Sequence, residues 1–319
     1  MSSLLDEEVA GLAEQEAISQ SSRKPLGRTA VANVALRGTS MAARFLLMIG
    51  LAHYLSPDDV GVFGLMYAST TLGTLFLGMR FDVYSTRAIC SADRSSPAAV
   101  IRDQMVFHLL VYVIALPLML LLFALRVLPW QLLAWFYLLL VLEHSGQECM
   151  RLFVALSQPL RANFVFFLRS GLWALALIAL MLASPAYRNL ETLWVAWAIG
   201  GVASLVMSGL WMRSLGWRSA IRERVDWDWI RRGLKPSLAF SVAIGASTLI
   251  TTLDRFFIRR FWGGAHVGVY AFYWNLTNFI TTFADTGIIS ILLPSLLAAA
   301  ASGDSEAYSS ILRRMSKGV

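Results

Sequence analysis

Apolar residues fill eight helix-length stretches, separated by short polar breaks. A membrane span needs about 20 mostly apolar residues. Stretches of that size run roughly over 30–54, 60–80, 105–127, 131–153, 160–183, 190–212, 237–259 and 267–298. Pro117 lies inside the third and predicts a kink there; Pro294 falls late in the eighth. The first and seventh stretches end in breaks of equal length, Ser56-Pro57-Asp58-Asp59 and Gly263-Gly264-Ala265-His266. Each break leads into a related tetrapeptide, Val60-Gly61-Val62-Phe63 and Val267-Gly268-Val269-Tyr270, 207 positions apart. A helix–short loop–helix unit that recurs in a membrane chain points to a transporter built from two related lobes. The pattern therefore predicts an all-α integral membrane protein with about eight transmembrane helices. Residues 1–29 read as a disordered arm and 30–212 as a complete six-helix N-lobe. Residues 213–236 read as a basic inter-lobe linker, and 237–319 as a partial C-lobe with two helices and a tail.

Composition agrees with the pattern. Hydrophobic residues make up 57% of the chain and charged ones only 15%, against roughly 25% charged in soluble domains; mean hydropathy is +0.61. The polar start of the chain, acidic and then basic, lacks the apolar core of a cleavable signal. The net charge of +7 is carried by short loops beside apolar stretches, which fits orientation by the positive-inside rule and gives no reason to expect nucleic acid. With the N-terminus inside, eighteen Lys and Arg fall on the inner side and five on the outer. That bias predicts both termini in the cytoplasm, in a bacterial inner membrane. In 213–236, Trp217, Trp227 and Trp229 alternate with basic residues. This segment reads either as an interfacial helix on anionic lipid or as a plain connector. Cys90 and Cys149 form no CxxC and the four histidines are scattered, so no metal and no cofactor are expected. The outer loops are too short for an enzyme's domain, and no enzymatic activity is expected.

Polar residues inside the stretches carry the candidate chemistry. An arginine at mid-bilayer costs roughly 2.5–3.5 kcal/mol on insertion scales and persists where it faces a polar cavity. Asn33, Arg37, Ser40 and Arg44 fall on one helical stripe. The seventh stretch repeats the pattern through Ser241, Gly245, Thr248, Thr252, Arg255 and Arg259, and the eighth carries Asn275, Asn278, Thr282 and Asp285. Arg80 closes the second stretch and Arg169 sits inside the fifth. Guanidinium offers a planar fork to phosphate and stays charged. Arg37, Arg44, Arg80 and Arg169, with Asn275 and Asn278, are thus candidates for a cationic substrate cavity. Snorkelling and structural pairing are the competing account, strongest for Arg80 and for an Asp254–Arg255 ion pair. Glu143, Glu148 and Asp285 are candidates for a coupling proton or Na⁺, or else neutralise neighbouring arginines. His144, Glu148 and Arg151 share one face of the fourth stretch. Gly200, Ser204 and Ser208 read as a small-residue packing seam.

The segment LAHYLSPDDVGVFGLMYASTTLG at 51–73 resembles the N-lobe signature of bacterial polysaccharide flippases of the multidrug/oligosaccharidyl-lipid/polysaccharide exporter superfamily. LDRFFIRRFWGGAHVGVYAFYWNLTNF at 253–279 looks like the matching C-lobe signature, and LLPSLLAAAASGDSEAYSSILRRMSK at 292–317 looks like the family's next element. The resemblance implies translocation of polyprenyl-diphosphate-linked oligosaccharide by alternating access, for O-antigen, capsule or exopolysaccharide. It implies Arg37 and Arg44 as receivers of the diphosphate. Expected partners are membrane lipids, the lipid-linked oligosaccharide, and a polysaccharide polymerase and chain-length regulator. The family has twelve or fourteen spans in two equal lobes, so a C-terminally truncated chain is expected. The alternatives are export of a peptidoglycan precursor or drugs on the same fold, and a non-transporting subunit of a polysaccharide assembly complex.

Overall fold

In hydrocarbon every backbone N–H and C=O has to be satisfied within the chain, so long apolar stretches wind into helices. The long helices are α1 (Arg28–Tyr54), α2 (Pro57–Gly78), α4 (Pro97–Met119), α5 (Leu133–Ala155), α6 (Pro159–Ala183), α7 (Leu190–Met212), α9 (Trp227–Trp262) and α10 (Gly264–Ala284). Between them lie the short α3 (Phe81–Cys90) and α8 (Trp217–Arg222). This computed structural model describes residues 28–91, 96–215, 217–284 and 308–310, and the described residues contain no strand. The arm up to residue 27 and the end of the expected eighth span lie outside them.

Side chains fix where the helices start. Ser56 accepts a hydrogen bond from the Asp59 N–H at 3.2 Å, with Pro57 in the first turn. Ser96, Asn189 and Asp226 cap α4, α7 and α9 in the same manner, each satisfying a donor that the helix leaves open. Pro117 stops α4 at Met119, and the chain resumes as a single turn over Leu121–Ala124. Among the described residues, six helices are long and apolar enough to cross a membrane: α1, α2, α4 with its following turn, α6, α7 and α9. The other two expected spans do form helices, α5 and α10, but polar residues dilute them: Glu143, Glu148 and Arg151 in α5, Asn275 and Asn278 in α10. The chain is an all-α, multi-pass membrane protein. Val113, Ile114 and Ile250 lie on its outer faces, at least 69% exposed, where lipid replaces water as the solvent.

The stretch 213–236 is more structured than a linker reading implies. It holds α8 and the first turns of α9. The Arg102 guanidinium donates to the carbonyls of Ala220, Glu223 and Arg224, fastening the chain between α8 and α9 to α4. Trp229 is buried with Phe81, Phe107 and Tyr84. The small-residue seam of α7 does pack: a Cβ on Gly200 would lie 2.4 Å from the Trp173 ring, while Ser204 and Ser208 are buried.

The most extensive helix packing joins α2 to α10, the two helices that begin with the repeated tetrapeptide. Their backbones touch. A Cβ on Gly61 would lie 2.1 Å from the Gly264 carbonyl oxygen, and a Cβ on Gly268 would lie 2.1 Å from that of Pro57. Subtracting the repeat spacing from 268 and 264 gives 61 and 57, so the two contacts are one contact related by a local two-fold. Gly64 and Ala271 continue the seam, with a Cβ-to-Cβ distance of 3.0 Å if Gly64 carried a methyl. In a cysteine-free background, Gly61→Ala or Gly268→Ala is expected to part these helices. A thiol placed by Asn275→Cys should then react several-fold faster with a membrane-impermeant reagent. Equal rates would mean that the seam does not close this end.

Candidate functional site

Directly beneath the glycine seam, α1, α2, α5, α6, α7, α9 and α10 surround a cavity. Its polar wall is Arg44, Tyr67, Glu143, Arg169, Arg255 and Asn275; Phe63, Trp173 and Trp197 form its aromatic wall. The free space is about 40 Å³, room for a few waters.

Arg44 projects from α1 toward α2. It donates to the Tyr67 hydroxyl and lies 5.1 Å from the Tyr67 ring centroid. Arg255 is its counterpart on α9, 5.5 Å from the Trp274 ring and 5.8 Å from that of Tyr270. Tyr67 and Trp274 are equivalent positions of the repeat. Each half therefore sets an arginine against the aromatic of its own second helix, a favourable contact for a partly desolvated cation.

Arg169 arrives by a different route. The helical repeat of α6 widens into a π-turn at Leu168–Leu172, and Arg169 is buried there. Such turns recur at functional sites, since they re-aim a side chain without ending the helix. The Trp173 indole donates to the Arg169 carbonyl at 2.7 Å. The Arg169 guanidinium pairs with Glu143, which also accepts from the Trp197 indole at 2.7 Å. The Nε of Arg169 is buried with no hydrogen-bond partner among the described residues.

The remaining candidates lie elsewhere. Arg37 is exposed and does not line the cavity. Two turns of helix carry it away from Arg44, although both share a stripe. Arg80 pairs with Asp82 at 3.5 Å beyond the end of α2. Asn275 lines the cavity, its amide donating to the Ala271 carbonyl at 2.8 Å, whereas Asn278 is exposed. Asp285 lies outside the described residues. The expected Asp254–Arg255 ion pair is not formed. Asp254 instead accepts from the Tyr270 hydroxyl at 2.7 Å, while the Arg255 guanidinium turns to the Thr251 carbonyl and the Tyr270 and Trp274 rings. Arg255 is thereby freed for the cavity, a role that its neighbouring carboxylate hid in the sequence.

Glu143 and Glu148 also part company. Five residues of α5 separate them, which places them on different faces. Glu148 belongs to a second buried cluster with Gln104 and His108 of α4, His144 and Arg151. Scattered in the sequence, His108 and His144 are neighbours in space, with ring centroids 4.8 Å apart.

Breaking the Glu143–Arg169 pair from one side leaves a buried charge alone, at a cost of about 3–5 kcal/mol. Glu143→Gln should therefore lower the thermal midpoint in detergent markedly. Glu143→Leu combined with Arg169→Met should recover much of that loss. A double variant as unstable as the sum of its single variants would show the two side chains to be energetically independent.

Residues 26–297 match the family model described as "Polysaccharide biosynthesis protein". No curated protein and no solved structure matches the chain. The match takes in both halves of the repeat and every residue of the cavity, and the chain belongs to the polysaccharide biosynthesis protein family.

Proposed function

We infer that this chain is a flippase that carries a polyprenyl-diphosphate-linked oligosaccharide from the inner to the outer leaflet of the bacterial cytoplasmic membrane. One observation carries the reading. Arg44, Arg169 and Arg255 converge from three helices on one cavity that, among the described residues, holds a single carboxylate, Glu143. Three fixed positive charges against one negative suit a polyanion, and a guanidinium suits phosphate oxygens in particular. The unsatisfied Nε of Arg169 is a buried donor with no acceptor, a condition that a phosphate oxygen relieves. Around the arginines, Phe63, Trp173 and Trp197 provide flat apolar faces, as binding sites for organic ligands commonly do. A cationic drug is disfavoured by the same charges. A peptidoglycan precursor carries the same diphosphate and remains the second reading.

In this reading the cargo enters after the two halves part, because the space between them is narrow in this conformation. The glycine seam is then the barrier at one end of the cavity, and separating it opens the path to that side. Motion of one lobe against the other around a central site is the usual form of alternating access. Membership in a polysaccharide biosynthesis family supports a cargo destined for O-antigen, capsule or exopolysaccharide. Both termini lie in the cytoplasm in this reading, as the distribution of Lys and Arg supports.

The test is leaflet-resolved quantification of the lipid-linked oligosaccharide in a strain lacking the gene. The wild-type chain should relieve its accumulation on the cytoplasmic side. Arg44→Ala and Arg255→Ala should each cut transport roughly 10-fold or more, the loss of a charge-assisted hydrogen bond worth about 1.5–3 kcal/mol. Arg44→Lys should recover part of the activity, and Arg37→Ala should cost less than Arg44→Ala. Full transport by an Arg44→Ala/Arg255→Ala chain at normal membrane levels would overturn the cationic-cavity reading.

A further inference from the structure

The buried cluster on the other face of α5 leaves two polar atoms, His144 Nε2 and Gln104 Oε1, without hydrogen-bond partners among the described residues. His108 Nδ1 faces the Leu77 carbonyl oxygen at 3.3 Å. A carbonyl only accepts, so this contact puts the proton of a neutral imidazole on Nδ1 and the lone pair on Nε2. His144 Nδ1 is 2.6 Å from the Tyr112 hydroxyl. His144 is 1% exposed, yet its Nε2 has no hydrogen-bond partner among the described residues. Both Nε2 atoms are turned toward the Glu148 carboxylate, His108 at 3.5 Å from Oε2 and His144 at 3.8 Å from Oε1. The ligand atoms of the three residues lie within 4.8 Å of one another. Gln104 closes the group: its amide nitrogen donates to Glu148 at 2.7 Å and lies 3.3 Å from His108 Nε2, a contact that a metal would replace, and its buried carbonyl oxygen has no partner among the described residues.

Separations of 3.5 and 3.8 Å are too long for good hydrogen bonds. They approach the edge of a coordination tetrahedron, which is about 3.3–3.4 Å when ligand atoms sit ~2.0–2.1 Å from the ion. Imidazole ligands in metal sites characteristically tie up their second nitrogen with a carbonyl, carboxylate or other polar partner. Here Leu77 and Tyr112 provide those partners. Two imidazoles and a carboxylate form a zinc donor set, whereas Ca²⁺ and Mg²⁺ favour oxygen ligands. The Arg151 guanidinium opposes a cation, standing 2.6 Å from Glu148. Its side chain is 26% exposed and already reaches Asp82 at 3.5 Å, so it has a second carboxylate to hold when Glu148 turns to a metal.

We propose that His108, His144 and Glu148 bind one zinc-type divalent cation that clamps α4 to α5. The site is separate from the cavity, and its test is independent of transport. The chain, purified in detergent without a histidine tag and stripped of metal, is titrated with Zn²⁺ and with Co²⁺ as a spectroscopic probe. One equivalent should bind, and bound Co²⁺ should show the intense visible bands of a tetrahedral site. His108→Gln and His144→Gln should abolish those bands. Tyr112→Phe should weaken binding about 10-fold or more by releasing the second nitrogen of His144. The chain has four histidines, and the other two, His53 and His266, are exposed. The His53→Gln/His266→Gln chain should therefore keep the site, with two imidazole ligands by X-ray absorption. That measurement decides the matter even if the buried variants fail to fold. Wild-type protein that binds no stoichiometric metal, or binding that disappears in the His53→Gln/His266→Gln chain, overturns the proposal.

Discussion

The direct contact of two helix backbones at Gly61 and Gly268 sets the geometry on which the rest of the structure depends. Membrane helices gain little from hiding apolar surface from one another, because lipid is as apolar as leucine. They associate where small residues let backbones approach and van der Waals contact accumulates. Here that requirement is met twice by one tetrapeptide, so the two halves meet through equivalent surfaces. The contact also fixes how far apart the next turns of α2 and α10 can stand. Phe63, Tyr67, Ala271 and Asn275 lie on those turns and line the cavity. A bulkier seam would therefore act on the cavity without touching any of its polar residues.

Burying arginines in such a place requires that each be compensated. The structure does this in different ways. Arg169 has a full counter-ion in Glu143, and Glu143 in turn is held by the Trp197 indole. Arg44 and Arg255 rest against aromatic rings, and Arg44 adds a phenolic hydroxyl. Ring faces and hydroxyls stabilise a cation without cancelling its charge. The cavity can thus remain cationic while no guanidinium stands bare, which a wall of carboxylates would not allow. A phosphate entering this space has to displace only weak contacts at two of the three arginines.

The spans were legible in the sequence because hydrophobic length is a one-dimensional property. So was the repeat, since its two tetrapeptides differ at one position, Phe63 against Tyr270. That the copies touch was not legible, as nothing in Val60-Gly61-Val62 names its partner. Arg44 and Arg169 stood out as charges in apolar surroundings, and the structure places both in the cavity. Arg37 obeys the same stripe but sits two turns away, where it is exposed among the described residues. Adjacency in sequence suggests Asp254 as the partner of Arg255, but the Tyr270 hydroxyl takes that carboxylate instead. The histidine cluster was invisible for the opposite reason: His108 and His144 lie on different helices, and only the packing of α4 on α5 makes them neighbours.

Helix α5 is common to both buried polar groups and ties them mechanically. On one face Gly146 leaves just enough room for the Arg169 side chain: a Cβ there would lie 2.7 Å from Cδ of that arginine. On the other, His144 packs against Gly78 at the end of α2, with a prospective Cβ contact of 3.2 Å to its Nε2. A rotation of α5 therefore moves Glu143 relative to Arg169 and His144 relative to α2 at the same time, since neither contact has slack. The end of α2 that meets His144 belongs to the helix whose other end forms the glycine seam. A rearrangement that opens the seam by tilting α2 as a rigid rod therefore either pivots on the histidine cluster or displaces it. Tight packing rather than a chain of charges connects the three places, and it does so through two helices, α2 and α5.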